Sequence, residues 1–547
     1  MNPSWDTLER GRQARLERAA PWAKGHEVAA GDIADLLHAL LEPGDKVCLE
    51  GNNQKQADFL AQALADLDPA RVHDLHMVQS VLSLPSHLDV FERGIASRLD
   101  FSFSGPQSVR LANLVAEGRI QIGAIHTYLE LFGRYFIDLT PRVALVAAQA
   151  ADRHGNLYTG PNTEDTPVIV EATAFGGGIV IAQVNEIVDI LPRVDIPADW
   201  VNFVVQAPRP NHIEPLFTRD PAQISEIQVL MAMMAIKGIY AEYGVNRLNH
   251  GIGFDTAAIE LLLPTYAESL GLKGKICQHW ALNPHPALIP AIESGFVKSV
   301  HSFGSELGME KYIAARGDVF FTGADGSMRS NRAFSQTAGL YACDMFIGST
   351  LQIDLQGNSS TATRDRIAGF GGAPNMGSDA RGRRHASDAW LKAGQQAARR
   401  GEMPRGRKLV VQMVETFREH MAPAFVDRLD AWELAERAAM PLPPVMIYGD
   451  DVSHVLTEEG IANLLLCRSP EEREQAIRGV AGYTAVGRGR DRAMVENLRD
   501  RGVIRRPDDL GINVRDASRD LLAARSVKDL VRWSGGLYDP PKRFRNW

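Results

Sequence analysis

The sequence predicts an α/β protein built from two similar halves in tandem, and three observations carry that expectation. Apolar runs of strand length alternate with helical patterns along the whole chain, as in sheets wound with crossover helices. The chain has 547 residues, too many for one hydrophobic core. One motif also occurs twice in the same setting. A strand pattern leads into Asp152-Arg153-His154-Gly155-Asn156, and another leads into Asp354-Leu355-Gln356-Gly357-Asn358, 354 − 152 = 202 positions later.

The strand signal is clearest at Val143 to Ala148, a short run of Val, Leu and Ala alone. Ile179 to Val184, Val201 to Val205, Val319 to Phe321, Leu409 to Val414 and Val445 to Tyr448 read the same way, as strands buried on both faces. Helical periodicity covers Gln56 to Leu67, Ser108 to Glu117 and Ile224 to Tyr243. Each Asp-x-x-Gly-Asn motif is followed by Phe-Gly-Gly, at Phe175-Gly176-Gly177 and at Phe370-Gly371-Gly372. Leu114 to Ile120 and Ala291 to Val297 give a further match, a helix that ends at glycine and runs into a β-branched strand. The expected division is an N-terminal α/β domain at 1–220, a second at 221–490 and a C-terminal extension at 491–547, with the join near Thr218 to Ala222. The ligand is expected between the halves, where the glycine loops converge.

Hydrophobic residues make up 45% and charged residues 23%, the mix of a soluble globular protein. No apolar run is long enough to span a bilayer, so no membrane contact is expected. The N-terminus lacks a signal-peptide core, which makes the cytoplasm the expected compartment. A net charge of −8, spread along the chain, argues against nucleic acid. Four cysteines without paired spacing exclude a disulfide scaffold and a Cys-based zinc site, and no metal is expected. Basic clusters usually form solvated faces, but Arg381-Gly382-Arg383-Arg384-His385 follows a glycine loop, which makes Arg381 a candidate phosphate contact.

Three glycine loops stand out: Phe175 to Gly178, Gly251-Ile252-Gly253, and Gly369 to Gly372 followed by Ala373-Pro374-Asn375. None continues as Gly-Lys-Ser/Thr, and none completes a strand–GxGxxG–helix fingerprint. Nucleotide hydrolysis and nicotinamide chemistry are therefore disfavoured. Backbone N–H donors with few charged neighbours suit a carboxylate or an oxyanion.

These residues also carry a resemblance. Ile181-Ala182-Gln183-Val184-Asn185-Glu186, Leu248-Asn249-His250-Gly251-Ile252-Gly253, Gly369-Phe370-Gly371-Gly372 and Val455 to Leu464 are similar to motifs of the family I coenzyme A transferases and acetyl-CoA hydrolases. The likeness runs from about residue 30 to 490 and implies two CoA-transferase-like domains with the active site between them. Glu50-Gly51-Asn52-Asn53-Gln54-Lys55-Gln56-Ala57-Asp58 and Ser327 to Gln336 resemble the malonate decarboxylase α subunits within that family. The resemblance implies transfer of an acyl-carrier thioester from acetate to malonate, with carboxylase-like subunits performing the decarboxylation. It implies no cofactor on this chain: the thiol belongs to a dephospho-CoA-derived prosthetic group on an acyl carrier protein partner. A citrate lyase α-type transferase, an acetyl-CoA:carboxylate CoA-transferase or hydrolase using free CoA, and a scaffold without activity are the alternatives.

Most of that family use a glutamate nucleophile, which attacks the thioester to form an anhydride. The stretch that corresponds here, Lys275-Ile276-Cys277-Gln278-His279-Trp280, has no carboxylate. Glu293 stands at a helix end and Glu306 follows the next strand, so neither occupies the expected place. The reading is direct attack by malonate, with backbone donors around the oxyanion. The candidate catalytic residues are Gln278 and His279. Gly176, Gly177, Gly178, Gln183, Asn185, Gly251, Gly253, Asn53 and Gln54 are the candidate substrate and oxyanion contacts. Gly369, Gly371, Gly372, Asn375 and Arg381 are the candidates for the thioester and its prosthetic group.

Overall fold

The computed structural model describes residues 5–51, 55–214, 220–304, 306–324, 326–384, 386–398, 405–545 and 547. In the first half, β1 (Lys46–Leu49), β2 (Leu75–Val81), β3 (Ala96–Phe103), β4 (Gln121–Ile125), β5 (Val143–Asp152), β6 (Ile179–Val188) and β7 (Phe203–Gln206) run parallel. Their order across the sheet is β7-β6-β5-β1-β2-β3-β4. The second half repeats this arrangement with β8 (Arg247–His250), β9 (His279–Leu282), β10 (Ser299–Ser302), β11 (Met345–Gly348), β12 (Leu409–Met413) and β13 (His454–Thr457). These are also parallel, in the order β13-β12-β11-β8-β9-β10. Matching β1 with β8 and β5 with β11 aligns six strands of the first order with the six of the second, β4 alone having no counterpart, so the duplication extends to topology. The central strands are apolar because both sheet faces are covered; Val143 to Ala148, for example, are all buried.

Five helices frame the site: α1 (Asp58–Ala65), α2 (Tyr128–Tyr135), α3 (Thr166–Phe175), α4 (Phe254–Leu262) and α5 (Arg332–Ala342). Helix α1 follows β1 and α4 follows β8, so each sheet has its topological switch at the corresponding strand. That edge is where ligands of open α/β sheets bind.

The repeated Asp-x-x-Gly-Asn motif folds the same way in both halves. Asp152 Oδ1 accepts from the backbone N–H groups of His154 and Asn156 at 2.9 and 3.0 Å, and its Oδ2 accepts from Asn156 Nδ2 at 2.8 Å. Asp354 accepts from Gln356 N, Asn358 N and Asn358 Nδ2 at 3.0, 2.9 and 3.0 Å. The turn needs a left-handed residue, and Gly155 (φ 92°) and Gly357 (φ 84°) supply it. Each Asn then accepts a backbone N–H from a distant segment, Ala198 in one half and Gly449 in the other.

The other two matches pair unequal elements. Phe175 closes α3 and stands directly before β6, whereas Phe370 bonds across to the first half. The helix Ile289–Glu293 lies between β9 and β10, as Ser86–Glu92 lies between β2 and β3. The partner of Gly295 is therefore Gly94, not Gly118; both Gly94 and Gly295 end their helices at positive φ. Two expected strands also reduce to single bridges, Phe320 to Val300 and Ile447 to Ser359. For the second, Pro443 and Pro444 lack the N–H donors that a ladder needs. Beyond residue 490 the chain stays attached: Ile504–Arg505 pairs with Gly460–Asn463, and Leu510, Ile512, Leu530 and Tyr538 join the second core. All four cysteines are buried and free.

Because the two turns use the same bonds, Asp152→Ala and Asp354→Ala should each destabilise the fold by about 1–3 kcal/mol. Chemical denaturation of the two variants checks this, with similar losses expected in both.

Candidate active site

The halves meet at the C-terminal ends of their strands, through two sets of contacts. In the first set, Gly369 to Gly372 crosses onto the opposite sheet. The N–H groups of Phe370 and Gly371 donate to Ser102 O at 2.6 and 2.9 Å, and Tyr128 N, at the start of α2, donates to Gly371 O at 3.1 Å. A Cβ at Gly369 would overlap Ser102 O, so this close approach requires glycine. Thr127 Oγ1 donates to Asn375 Oδ1, and Asn375 Nδ2 donates to Gln336 Oε1 of α5 at 2.6 Å.

In the second set, Arg332 at the start of α5 enters the first half. Its Nη2 donates to Glu164 Oε2 at 2.5 Å, its Nε lies 3.2 Å from Asp165 Oδ1, and its guanidinium stacks 4.6 Å from the centre of the Tyr128 ring. Behind this pair, Ser80 donates to Asp165 and Lys55 donates to Thr166. Thr166 Oγ1 donates to Glu50 Oε1 at 2.5 Å, and Lys55 Nζ stands 3.7 Å from the same oxygen. All of these charged groups are buried.

Burial dominates their chemistry. It raises the Glu50 carboxyl above its usual range, despite Lys55 and the bond from Thr166. It pushes Glu164 up to about 7 even with Arg332 alongside. Burial opposes the charge of Arg332, but Asp165 and Glu164 hold its pKa above the ordinary value. Tyr128 is pushed up to about 12 by burial and stays a neutral phenol. Glu164 also has a left-handed backbone (φ 48°), a costly conformation for a side chain of this kind and one that gathers at functional sites.

Several buried polar groups here find no partner among the described residues: Ser102 Oγ, Ser302 Oγ, Gln336 Nε2, Glu164 Oε1 and Arg332 Nη1. An unsatisfied buried group costs about 1–3 kcal/mol, so such a concentration marks a place for a polar ligand. Helices α2, α3 and α5 all begin at this junction, and their positive ends favour an anion. Beside it, a groove of 390 Å³ runs between the β4–α2 turn, Phe370 and the Met440 to Tyr448 segment.

The structure brings some of the sequence candidates here and removes others. Gly369, Gly371, Gly372 and Asn375 lie at the junction, although two of the loop's donors go to Ser102. Gly251 and Gly253 stand at the C-terminal end of β8, before α4. Gly176, Gly177 and Gly178 are at the opposite rim, where their N–H groups donate to Ala172, Ala174 and Thr173 and close α3. They cannot share a ligand with Gly251, because the length of β6 separates them from the C-terminal edge. Gln183 donates to Asp58 and accepts from Leu60 N, which serves the start of α1. Asn185 bonds Gln149 and Asn211.

Gln278 and His279 open β9 at its N-terminal end, away from the junction; Gln278 donates to Gly274 O and His279 pairs with Ser299. The stretch that the resemblance matches to the family's nucleophile site thus runs into the start of β9, not its C-terminal end. Arg381 is exposed near the N-terminal rim, where its neighbour Arg383 pairs with Asp344 just before β11. Asn53 and Gln54 lie outside the described residues. Among the described residues, no group of three or more His, Cys, Asp and Glu could hold a metal, and no helix is long and apolar enough to cross a membrane.

A family model described as "Malonate decarboxylase, alpha subunit, transporter" matches residues 4–547. The chain belongs to the malonate decarboxylase α-subunit family. It is 62% identical over 548 residues to the acetyl-S-ACP:malonate ACP transferase of Malonomonas rubra, with 99% of each chain covered. It is also 62% identical to a chain of a Pseudomonas malonate decarboxylase hetero-tetramer crystallised with malonate, at a TM-score of 0.96 and with all of both chains covered. An acyl-CoA transferase of Escherichia coli shares the fold alone, at 15% identity and a TM-score of 0.52 over 81% of this chain and 88% of that one.

Sequence reasoning did not nominate Glu50, Lys55, Tyr128, Glu164, Asp165 or Arg332. Three of them were within reach, because Glu50, Lys55 and Arg332 belong to the two stretches that resemble these α subunits. Glu164 and Asp165 carry no motif; an acidic pair just before Thr166-Pro167 signals only a helix start.

A Cβ at Gly304, which follows β10, would overlap Glu164 Oε1. Gly304→Ala should therefore cost about 1–3 kcal/mol, measured by denaturation, and Glu164→Gln in that background should not relieve it.

Proposed function

We propose that this chain is the transferase subunit of a malonate decarboxylase, passing the thioester of an acyl carrier protein from acetate to malonate. The observation that carries the reading is the buried junction at Arg332, where both halves of an α-subunit family member present unpartnered polar groups beside a cationic side chain. Malonate binds there rather than at Gly176 to Gly178. The 390 Å³ groove beside Phe370 admits the carrier's dephospho-CoA-derived arm and brings the thioester to Gly369 to Gly372. The chain works as units 1–220 and 221–490 with the extension 491–547, and carboxylase-like subunits act on the malonyl carrier.

The chemistry needs no protein nucleophile. One malonate carboxylate attacks the acetyl carbon, the C–S bond breaks, and the carrier thiolate leaves a mixed acetyl-malonyl anhydride. The thiolate then adds to the malonyl carbonyl, the C–O bond breaks and acetate departs. No net proton is consumed. The chain contributes approximation and backbone donors to the oxyanions, which are effective in a dry site. Glu293 fits no covalent role, since it bonds Tyr312 and Arg316. Glu306 is fully buried beyond β10 and is the carboxylate to test.

Mass spectrometry of a purified acetyl carrier, incubated with this chain and malonate, citrate or acetate, decides the acceptor. A malonyl carrier and free acetate are expected; a citryl carrier would replace the reading. Glu293→Ala and Glu306→Ala should each keep turnover within about tenfold, because loss of a true nucleophile costs several orders of magnitude. Borohydride with acetyl carrier should not inactivate the enzyme. Inactivation that disappears in Glu306→Ala would establish a glutamyl route instead.

A further inference from the structure

The two stretches that set the α-subunit likeness apart, Glu50 to Asp58 and Ser327 to Gln336, are distant in sequence and converge on one buried cluster. Lys55 and Glu50 come from the first, Arg332 from the second, and Glu164 and Asp165 stand between them. The bond-making and bond-breaking steps themselves use none of these charges. Arg332 uses Nη2 and Nε on the two acids, and Nη1 has no partner among the described residues. Glu164 is the mirror case: Oε2 takes the arginine and Oε1 has no partner among the described residues. Gly304 of the opposite half packs its Cα against that oxygen, where a side chain would overlap it, and Glu164 is fully buried.

We propose that Arg332 and Glu164 hold the carboxylate of malonate that does not react, so that this pair selects a dicarboxylate over acetate as the acceptor. The inference rests on the transferase reading. Arg332 donates from Nη1, and Glu164, in its acid form, donates from Oε1. Two charge-assisted donors on adjacent residues match the two oxygens of a carboxylate. Acetate has no second carboxylate and gains nothing from the pair.

The acid form follows from the surroundings. Glu164 is faced by Arg332 from α5, Lys55 from the loop after β1, Tyr128 from α2 and Asp165 beside it, with Glu306 two residues beyond Gly304. Burial and Asp165 oppose its ionisation, Arg332 and Lys55 favour it, and the balance sets its pKa at about 7. As pH rises through that value, Glu164 loses its proton and turns a second negative charge on the incoming carboxylate. Malonate binding therefore takes up a proton, and affinity falls about tenfold per pH unit above 7.

Initial rates with acetyl carrier, measured from pH 6.5 to 8.5 with malonate and separately with isotopically labelled acetate, test this. The wild-type KM for malonate should climb about tenfold per pH unit above 7. Glu164→Gln keeps a donor that cannot ionise, and its KM should be flat across the range. Arg332→Gln should lower kcat/KM for malonate about 10- to 100-fold more than for acetate exchange. A wild-type slope retained in Glu164→Gln, or equal losses with malonate and acetate in Arg332→Gln, would overturn the proposal. If Arg332→Gln does not fold, the slope in Glu164→Gln decides alone. A wild-type chain that exchanges acetate but forms no malonyl carrier would refute the transferase reading itself, before either variant is read.

Discussion

The guanidinium of Arg332 is the point on which the arrangement of the two halves depends. It leaves the second half, enters the first, and binds Glu164 and Asp165 while stacking on Tyr128. Taking an arginine and two acids out of water is costly, and a buried ion pair of this kind gives little net stability. Removing one partner is a different matter, because an uncompensated buried charge costs about 3–5 kcal/mol. The cluster therefore fixes geometry: it sets the position of α5, and with it Gln336 and the strap from Gly369 to Gly372 that bonds Gln336 through Asn375.

The duplicated topology explains where the junction forms but not what it contains. Each half turns the same sheet edge, with β1 and β8 as switch strands, toward its partner. The Asp152 and Asp354 turns preserve their common origin bond for bond. At the contact the halves have diverged. The first supplies the acids and the helix starts at Tyr128 and Thr166, while the second supplies the arginine and the glycine strap. In the proposed reading the carboxylate ligand draws on both contributions, so that the chemistry falls at the interface and in neither half alone.

Sequence patterns revealed the fold more fully than the site, and the reason is physical. Strands such as Val143 to Ala148 are apolar because both faces are covered, and that demand shows directly in composition. The Asp152 and Asp354 turns were legible because the bonds need Asp, Gly and Asn at fixed places. A glycine loop, by contrast, looks the same whichever job it does. Gly176 to Gly178 closes a helix at one rim, while Gly369 to Gly372 straps the halves together at the other. His279 failed as a candidate through a displacement of a few residues, the difference between the start and the end of β9. Arg332 was within a stretch already marked by resemblance, but its partners, Glu164 and Asp165, lie 168 and 167 positions away and only folding brings them together.

The central claim is that malonate sits at the junction of the two halves, against Arg332. A crystal structure of this chain soaked with malonate tests it most directly. The account predicts malonate density within hydrogen-bond reach of Arg332 Nη1 and Glu164 Oε1, on the side of the Gly369 to Gly372 strap. Malonate bound at the N-terminal rim beside Gly176 to Gly178, with the Arg332 cluster closed and unchanged, would contradict it.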